Sequence, residues 1–398
     1  MEALQQRKPK LKLNTRQYGM GMALIAIMIL FQFLTNGVLL KPLNVANLIM
    51  QNSYVLVLAI GMLLCILTGN IDLSVGSIAA FIGATSAVFI MDWKMDPVLV
   101  LLISLVLGGL IGAWQGFWIS YVNIPAFIVT LAGQLIFRGL TMVILKGQTK
   151  APFPDIYTSL SAGFVPDYLT NLTGPITLFG IQLNLLTLAF GALISILFII
   201  GEIRKRREMR RYGFQVLSPA MLAVRMVLIL AIINLFTWWL NSYKGMPTVL
   251  VLLGVLILIY SFVTNKTTIG RHIYAFGGNE KAARLSGIKT KRVFFWVYVN
   301  MGVLSAVAGI VFAGRLNAAT PKAGVNFELD AIASCYIGGA SASGGIGTVF
   351  GCIVGGLIMG VLNNGMSIMG ISIDWQQAIK GFVLLMAVAF DVLSKKKK

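Results

Sequence analysis

Residues 270–292 read GRHIYAFGGNEKAARLSGIKTKR, a polar and basic island between two long apolar runs. The surrounding chain of 398 residues is 58% hydrophobic and only 11% charged, whereas about a quarter of the residues in soluble domains are charged. Its mean hydropathy is +0.86. This composition excludes a soluble globular protein. It predicts a polytopic membrane protein whose island lies where the chain meets a soluble partner.

A helix needs about 20 apolar residues to cross the hydrocarbon core of a membrane, and this length divides the chain into candidate spans. The short run at 328–341 begins with polar residues, so we interpret it as a half-helix or a broken span. The pattern predicts an all-α fold of about 10–12 transmembrane helices. The candidate spans lie near 19–39, 48–67, 74–92, 97–121, 126–146, 174–199, 220–241, 247–264, 293–314, 328–341, 346–367 and 375–393.

The basic residues are distributed unevenly between the two sides that these crossings define. With a cytoplasmic N-terminus, the inside segments contain 22 Lys and Arg residues and the outside segments contain seven. Cytoplasmic loops of membrane proteins carry such an excess. We therefore expect a multi-pass protein with cytoplasmic tails at 1–18 and 395–398 and a cytoplasmic loop at 270–292. The net charge of +19 follows from this topology and does not indicate nucleic-acid binding.

Two short motifs recur in distant parts of the chain. Residues 71–75 (IDLSV) are similar to residues 329–332 (LDAI), and the GGLI of residues 108–111 recurs at 355–358. The matching spans run in opposite directions in the predicted topology. This arrangement indicates an inverted repeat, although short apolar motifs also recur by chance.

The repeat divides the predicted transmembrane domain, residues 19–394, into three parts. The halves are 19–146 and 247–394, each with five spans, and residues 147–246 contribute an extracytoplasmic loop and an inserted helix pair. Inverted repeats are common in transporters, where the transport pathway lies at the interface between the repeats. We expect the same placement here.

The sequence contains no motif for catalysis or for metal binding. It lacks a GxxxxGK[ST] phosphate loop, an HExxH motif and a GxSxG motif. Its three cysteines lie in apolar runs without CxxC spacing and it has one histidine, which excludes a disulfide framework and a metal cluster. We therefore expect no catalytic residue, no metal and no bound cofactor on this chain, and any ATP hydrolysis must occur on another chain.

Asp72, in the segment TGNIDLSVG, and Asp330 each stand near the start of an apolar span. Each carboxylate could cap its helix by accepting backbone N–H bonds. Alternatively, the segment around Asp72 and Ser74 could dip into the membrane and line a solute path, as irregular backbone at that depth must, and Asp330 is a candidate pathway residue for the same reason. Proton- or sodium-coupled transport usually needs several intramembrane acids, and their scarcity here disfavours that class.

The other candidate pathway residues are polar or aromatic side chains within predicted spans. A buried arginine must face protein or water or extend to an interface, amides could hydrogen-bond sugar hydroxyls, and aromatic rings could stack on a sugar face. Interfacial anchoring explains the aromatic residues equally well. These residues are Trp114, Phe127, Gln134, Arg138, Asn363 and Asn364.

Four segments spread over nearly the whole chain carry a family resemblance. They are NIDLSVGS (70–77), IPAFIVTLAG (124–133), GRHIYAFGGNEKAARLSGI (270–288) and ELDAIASCYIGGASASGGIGTVFG (328–351). Together they resemble the permease subunits of bacterial monosaccharide ABC importers. The chain length and the RKRREMRR loop are most similar to xylose-type or multiple-monosaccharide permeases.

The resemblance implies a homodimeric permease in the lipid of the bacterial inner membrane. It would receive sugar from an extracytoplasmic sugar-binding protein and would be driven by a cytoplasmic sugar ABC ATPase that binds ATP and Mg. The island would contain the helix that couples the permease to this ATPase; the alternative is a surface helix attracted to anionic lipid. The implied coupling residues are Gly278, Asn279, Glu280, Ala282, Ala283, Arg284, Leu285 and Gly287.

The expected function is therefore import of xylose or of several monosaccharides, with this chain forming the translocation pathway. A permease of the same class for ribose, galactose, arabinose or another small polar solute is the main alternative. A secondary transporter driven by protons or sodium is a further one. An intramembrane enzyme lacks any pairing of nucleophile, acid and base.

Overall fold

The computed structural model describes residues 15–174, 176–178, 181–214, 216 and 218–396, and most of these are helical. Residues 1–14 and the last two lysines of the predicted tails lie outside this part of the chain. The first half contains α1 (Thr15–Leu34), α2 (Pro42–Leu67), α3 (Val75–Ala87, continued by a π turn at Val88–Asp92), α4 (Pro97–Ser120) and α5 (Ala126–Leu145).

The middle of the chain contains an outer segment and a helix pair. Its elements are α6 (Asp155–Ala162), α7 (Tyr168–Thr173), a two-stranded hairpin of β1 (Thr177–Leu178) and β2 (Ile181–Gln182), α8 (Leu185–Arg211) and α9 (Pro219–Asn241). The second half contains α10 (Thr248–Lys266), α11 (Thr268–Gly278), α12 (Glu280–Leu285), α13 (Thr290–Leu316), α14 (Phe327–Ile337), α15 (Val349–Ile368) and α16 (Ile373–Lys396).

Nine helices in the described part of the chain are long and apolar enough to cross a membrane. The prediction of an all-α polytopic membrane protein is confirmed, apart from the two-residue strands of the hairpin. The apolar part of α1 is shorter, at Gly19–Leu34. The predicted span at 328–341 contains the 11-residue α14, which agrees with the interpretation as a half-helix.

Two helices form the centre of the fold. In the most apolar stretch of α2, 89% of the residues are buried. This burial explains why the sequence of α2 is apolar on all sides. The neighbouring α13 packs against α2, α3 and α4. Its contact with α4 is backbone to backbone, since a Cβ added to Gly302 would lie 2.2 Å from the carbonyl oxygen of Gly108. Small residues allow membrane helices to approach this closely.

The inserted pair, α8 and α9, lies at the periphery. Only 11% of the residues in the most apolar stretch of α8, and 6% of those in α9, are buried, so most of the apolar surface of both helices is available to lipid. The two helices pack against each other, and Arg225 of α9 forms an ion pair with Glu202 of α8 at 3.3 Å.

The segment that joins α5 to α8 is attached to the transmembrane helices at both ends. Lys150 pairs with Asp92 after α3 at 2.7 Å. Asp167 accepts hydrogen bonds from the amide of Thr170 in α7 and from the amides of Leu185 and Leu186 at the start of α8. One carboxylate therefore holds the outer segment to the inserted pair.

Candidate coupling surface and buried polar cluster

The predicted coupling residues form a short helix that projects from the rest of the fold. The side chain of Asn279 accepts a hydrogen bond from the amide of Ala282 at 3.0 Å and so caps the N-terminus of α12. At its other end the amides of Gly287 and Ile288 donate to the carbonyls of Arg284 and Ala283, a pattern that commonly ends helices. The helix therefore begins and ends within six residues.

Almost every side chain of α12 faces away from the protein. Only Ala283 is buried, whereas Leu285 is 89% exposed. Glu280 in the first turn and Arg284 in the last are also exposed. An exposed leucine flanked by opposite charges is suited to a protein partner that supplies an apolar pocket and complementary charges.

The preceding helix, α11, connects this surface to the transmembrane core. Ile273 of α11 is buried in the main apolar cluster, and Phe276 is buried as well. The hydroxyl of Tyr274 donates to the carbonyl of Gly347 at 2.7 Å. At Gly277 an added Cβ would lie 1.6 Å from the carbonyl oxygen of Leu67 and 2.7 Å from the amide nitrogen of Gly345. The backbones of α11, the end of α2 and the loop after α14 are thus in direct contact.

A cavity of about 760 Å³ lies beside α12. Glu280 and Arg284 line one side, and the turn between α4 and α5, including Asn123, lines another. Thr68 and Asn70, which follow α2, complete the wall. The coupling residues therefore border the two segments that support the buried polar residues described next.

Asp72 and Ser74 lie in a buried polar cluster between α2 and α3. The Oδ1 atom of Asp72 accepts from the amide of Ser74 at 2.8 Å and from its hydroxyl at 2.6 Å. The amide group of Gln115 on α4 donates to the same hydroxyl at 2.8 Å. Asp72 therefore orders the turn before α3, and it does not cap the first turn of that helix.

Glu328, at the start of α14, extends this polar cluster to α5. Its Oε1 atom accepts from the Gln134 side chain at 3.0 Å. A Cβ added to Gly76 would lie 2.6 Å from Oε2 of Glu328, so the carboxylate lies against the first turn of α3. Arg138, one turn after Gln134, donates to the carbonyl of Ala323. Helices α3, α5 and α14 thus meet at Glu328.

Asp330 lies on another side of α14. It forms an ion pair with Lys380 of α16 at 2.9 Å, and both side chains are largely buried. The carboxylate of Asp330 does not cap α14: the helix begins at Phe327 with no side-chain hydrogen bond at its N-cap, and Asp330, in the first turn, pairs with Lys380 instead. The helix starts earlier than the repeat motif suggested.

The remaining pathway candidates lie elsewhere. Asn364 exchanges hydrogen bonds with Asn44 of α2, at 2.8 and 3.2 Å, near the opposite end of α15 from the loop at Gly347. Its neighbour Asn363 is half-buried. Trp114 and Phe127 are 40% and 60% exposed on the outer surface. The structure thus brings Asp72, Ser74, Gln134 and Arg138 to one region and separates the other candidates from it.

Sequence reasoning missed three members of these polar groups. Gln115, Glu328 and Lys380 are polar residues inside or beside predicted spans, which is itself a signal for function or for pairing within a membrane. Their partners are distant in sequence, 41, 194 and 50 residues away. The local sequence pattern therefore could not predict the partners of these three residues.

Residues 44–388 match the family described as branched-chain amino acid transport system / permease component. The chain belongs to this permease family. The matched range includes α12, the cavity beside it and both buried polar groups, so these features lie within the shared permease domain.

Curated relatives of the permease match almost its full length. It is 40% identical to the xylose transport system permease protein XylH of Escherichia coli K12, over 97% of this chain and 94% of the relative. The XylH of Haemophilus influenzae is 37% identical over 98% of this chain and 99% of its own length. The ribose import permease protein RbsC of Bacillus subtilis is 33% identical over 92% and 89%. No solved structure matches the permease.

Proposed function

We propose that this chain is the membrane-spanning subunit of an ATP-driven importer for xylose or a closely related monosaccharide. The observation that carries the proposal is the match to xylose permeases at 37–40% identity over nearly the whole chain. The exposed α12 supports it independently, because it offers a soluble partner a small, rigid and mixed-charge docking surface.

A separate cytoplasmic ATPase would bind α12 and would hold the ATP and Mg. The described part of this chain contains no group of three or more side chains that could hold a metal ion, and its sequence has no phosphate-binding loop. Displacement of α12 by the ATPase would pass to the end of α2 and to the loop after α14 through the backbone contacts at Gly277.

Sugar would cross the membrane beside the beginnings of α3 and α14. Asp72 and Glu328 lie where α3 and α14 begin, and Gln115 of α4 contacts Ser74 beside them. Their side chains can accept hydrogen bonds from sugar hydroxyls or donate to them. In this proposal a separate extracytoplasmic sugar-binding protein supplies affinity, and the permease binds sugar weakly. Rocking of the two permease subunits, driven through the coupling helices, would expose the pathway to each side in turn.

The assembly we propose contains two copies of the chain in the bacterial inner membrane, with both termini in the cytoplasm. Each copy would contribute one α12 to one of the two nucleotide-binding modules. This chain would act as a transport subunit and not as an enzyme, and lipid would surround the peripheral helices α8 and α9.

A second candidate is a permease of the same class for ribose. The observation that favours it is the 33% identity to the ribose permease, which is lower than the identity to the xylose permeases. Galactose, arabinose and other small polar solutes belong to the same alternative. A secondary transporter is a more distant one.

The decisive experiment is reconstitution of the purified chain in liposomes with its ATPase and sugar-binding protein, followed by uptake of labelled xylose. We expect uptake only when all three components and ATP are present. Competition by unlabelled ribose, galactose and arabinose then distinguishes the two sugar candidates. Uptake by this chain alone under a proton or sodium gradient would refute the proposal.

A further inference from the structure

The cytoplasmic end of the inserted pair forms a groove of about 570 Å³, which we call the basic groove. Arg204, Lys205 and Glu208 of α8 line it together with Tyr212, which directly follows α8, and Lys266 at the end of α10 faces them. Three cations and one acid give its wall a net charge of +2. The coupling surface at α12 makes no contribution to it.

The groove results from helical spacing. Residues three or four apart lie on one face of a helix, so Arg204 and Glu208 form a stripe on α8, and Tyr212 extends it just beyond the end of the helix. Gly201, one turn before Lys205, has no side chain and leaves the upper part of the stripe open. None of the three groove cations forms an ion pair within the described residues. Their charges are therefore available to a ligand.

The groove lies at the boundary between apolar and polar surface. Toward the membrane, α8 presents Ile196 and Leu197, which are 53% and 59% exposed. On the other side Tyr212 and Phe214 are 67% and 64% exposed, and exposed aromatic rings are typical of the headgroup level. A ligand in the groove would thus have its charged part between the cations and an apolar part along α8.

We propose that the basic groove binds the headgroup of an anionic phospholipid between α8 and Lys266. The excess of cytoplasmic lysine and arginine explains why cations occur near the membrane. It does not explain why Lys266 of a separate helix converges with Arg204 and Lys205 on one cavity. A phosphate between them neutralises their mutual repulsion, and the acyl chains lie against the exposed apolar face of α8.

Bound lipid would attach the peripheral pair to the helix that precedes the coupling surface. Lys266 is followed directly by Thr267, whose hydroxyl caps α11 by accepting from the amide of Gly270 at 3.3 Å. The lipid would therefore brace the entry to α11. This inference does not depend on which sugar the chain transports.

The test is lipid titration of the purified full-length chain in neutral detergent, measured by native mass spectrometry. The test variant is Arg204→Gln/Lys205→Gln/Lys266→Gln. The matched control, Lys395→Gln/Lys396→Gln/Lys397→Gln, removes the same charge from the C-terminal tail. Phosphatidylglycerol is the probe, and phosphatidylcholine is the uncharged comparison. Because each cation contributes about a five-fold factor at an anionic surface, the triple variant should bind phosphatidylglycerol roughly a hundred-fold more weakly.

The wild type and the control should prefer phosphatidylglycerol over phosphatidylcholine by about tenfold or more. The single variant Lys266→Gln, which leaves α8 unchanged, should weaken binding about five-fold, so the test survives if the triple variant misfolds. Equal loss in the test and control variants, no preference for phosphatidylglycerol, or displacement of the lipid by an equal concentration of glycerol phosphate would overturn the proposal.

Discussion

Arg284 lies in the last turn of α12 with its side chain exposed, and it also borders the cavity beside the coupling surface. We predict that Arg284→Glu weakens association with the partner ATPase by roughly tenfold or more, because reversal of an interface charge places like charges together. Binding of the ATPase to nanodisc-embedded permease would measure this. Glu280→Ala should act in the same direction with a smaller effect.

The matched control for this change is Arg207→Glu, which reverses an exposed charge on a different helix, α8. Both variants should unfold at the wild-type temperature, since neither side chain forms an ion pair within the described residues. If Arg207→Glu and Arg284→Glu weakened ATPase binding equally, α12 would not be the coupling surface.

The ion pair between Lys380 and Asp330 provides a second prediction. Lys380→Met leaves the carboxylate, which is 7% exposed, without its partner. Breaking a buried pair in this way costs about 3–5 kcal/mol, so the unfolding temperature should fall markedly. Adding Asp330→Asn should recover most of the loss because it removes the unpaired charge. A double variant no more stable than Lys380→Met alone would show that the pair is not what holds α16 to α14.

These residues show how far the sequence predicts the site. The sequence predicted a polar loop at 270–292, because a polar run between two apolar spans is a local signal, and the coupling role of its residues stays a prediction. The buried cluster was predicted in part: Asp72, Ser74, Gln134 and Arg138 do lie in one region. Glu328 was missed because its hydrogen bond depends on contact between α14 and α5. The sequence also did not show that Asn364 lies apart from these residues, because membership of a span says nothing of depth.

At the scale of elements, the contact between α4 and α13 depends on the absence of side chains. We predict that Gly302→Ala destabilises the protein by about 1–3 kcal/mol, the usual range for overpacking, since the new Cβ would lie 2.2 Å from the Gly108 carbonyl and 2.8 Å from Gly112. Thermal unfolding in detergent would measure the change. Gly254→Ala on α10 is the control, because nothing lies within 4 Å of its added Cβ, and it should leave stability unchanged or slightly higher.

Asp167 gives the outer segment a pH dependence. Burial alone would raise the pKa of this carboxyl, but the hydrogen bonds from Thr170, Leu186 and Leu185 outweigh it and hold the pKa below its ordinary value. A lowered folded-state pKa stabilises the protein above the unfolded pKa of about 3.9. That stabilisation is lost as pH falls through the lower folded-state value.

Hydrogen exchange of α7 and of the start of α8 would test this. Wild type should be better protected than Asp167→Asn at pH 6, and the difference should be smaller at pH 3, because part of the stabilisation is lost once the pH falls below the unfolded-state pKa. Comparing the two proteins at each pH cancels the intrinsic pH dependence of exchange. A difference that is the same at both pH values would show that the ionised carboxylate is not what attaches the segment.

The lengths of elements were easier to predict than their packing. The predicted span at 74–92 agrees with α3 and its π turn, and the span at 126–146 agrees with α5, because length and hydropathy are properties of a contiguous stretch. The sequence did not reveal α6, α7 or the hairpin, since short amphipathic elements outside a membrane leave no comparable signal. It also did not show that α2 is central and α8 peripheral, although both are strongly apolar.

For the whole molecule, the predicted topology places the two ends of the segment containing α14 on opposite sides of the membrane. Lys322→Cys and Ala342→Cys introduce thiols at exposed positions before and after α14, and the native Cys65, Cys335 and Cys352 are buried. An impermeant thiol reagent applied outside should label Lys322→Cys, and Ala342→Cys should react only after the cytoplasmic side is opened. Labelling of both from one side would remove a crossing from the topology.

The proposed halves are supported by the pattern of helix contacts. If the two halves are equivalent, α2 corresponds to α13, α3 to α14 and α4 to α15. The contact between α4 and α13 then corresponds to that between α15 and α2, and the contact between α3 and α13 corresponds to that between α14 and α2. All four contacts are present. A two-fold relation between the halves predicts this correspondence, and superposition of the halves by an in-plane rotation is its direct test.

The backbone contact at Gly277 has a practical consequence for protein engineering. Suppose that a chimaera exchanged only residues 267–289 with those of another transporter, so that it would bind a different ATPase. This exchange would replace one of three backbone segments that are packed too closely for a methyl group to fit between them. The end of α2 and the glycines after α14 would have to be transplanted together with it. The unit that must be exchanged to change the ATPase therefore consists of three segments that are distant in sequence. A chimaera with one continuous exchanged segment would be expected to express but not to couple to the new ATPase.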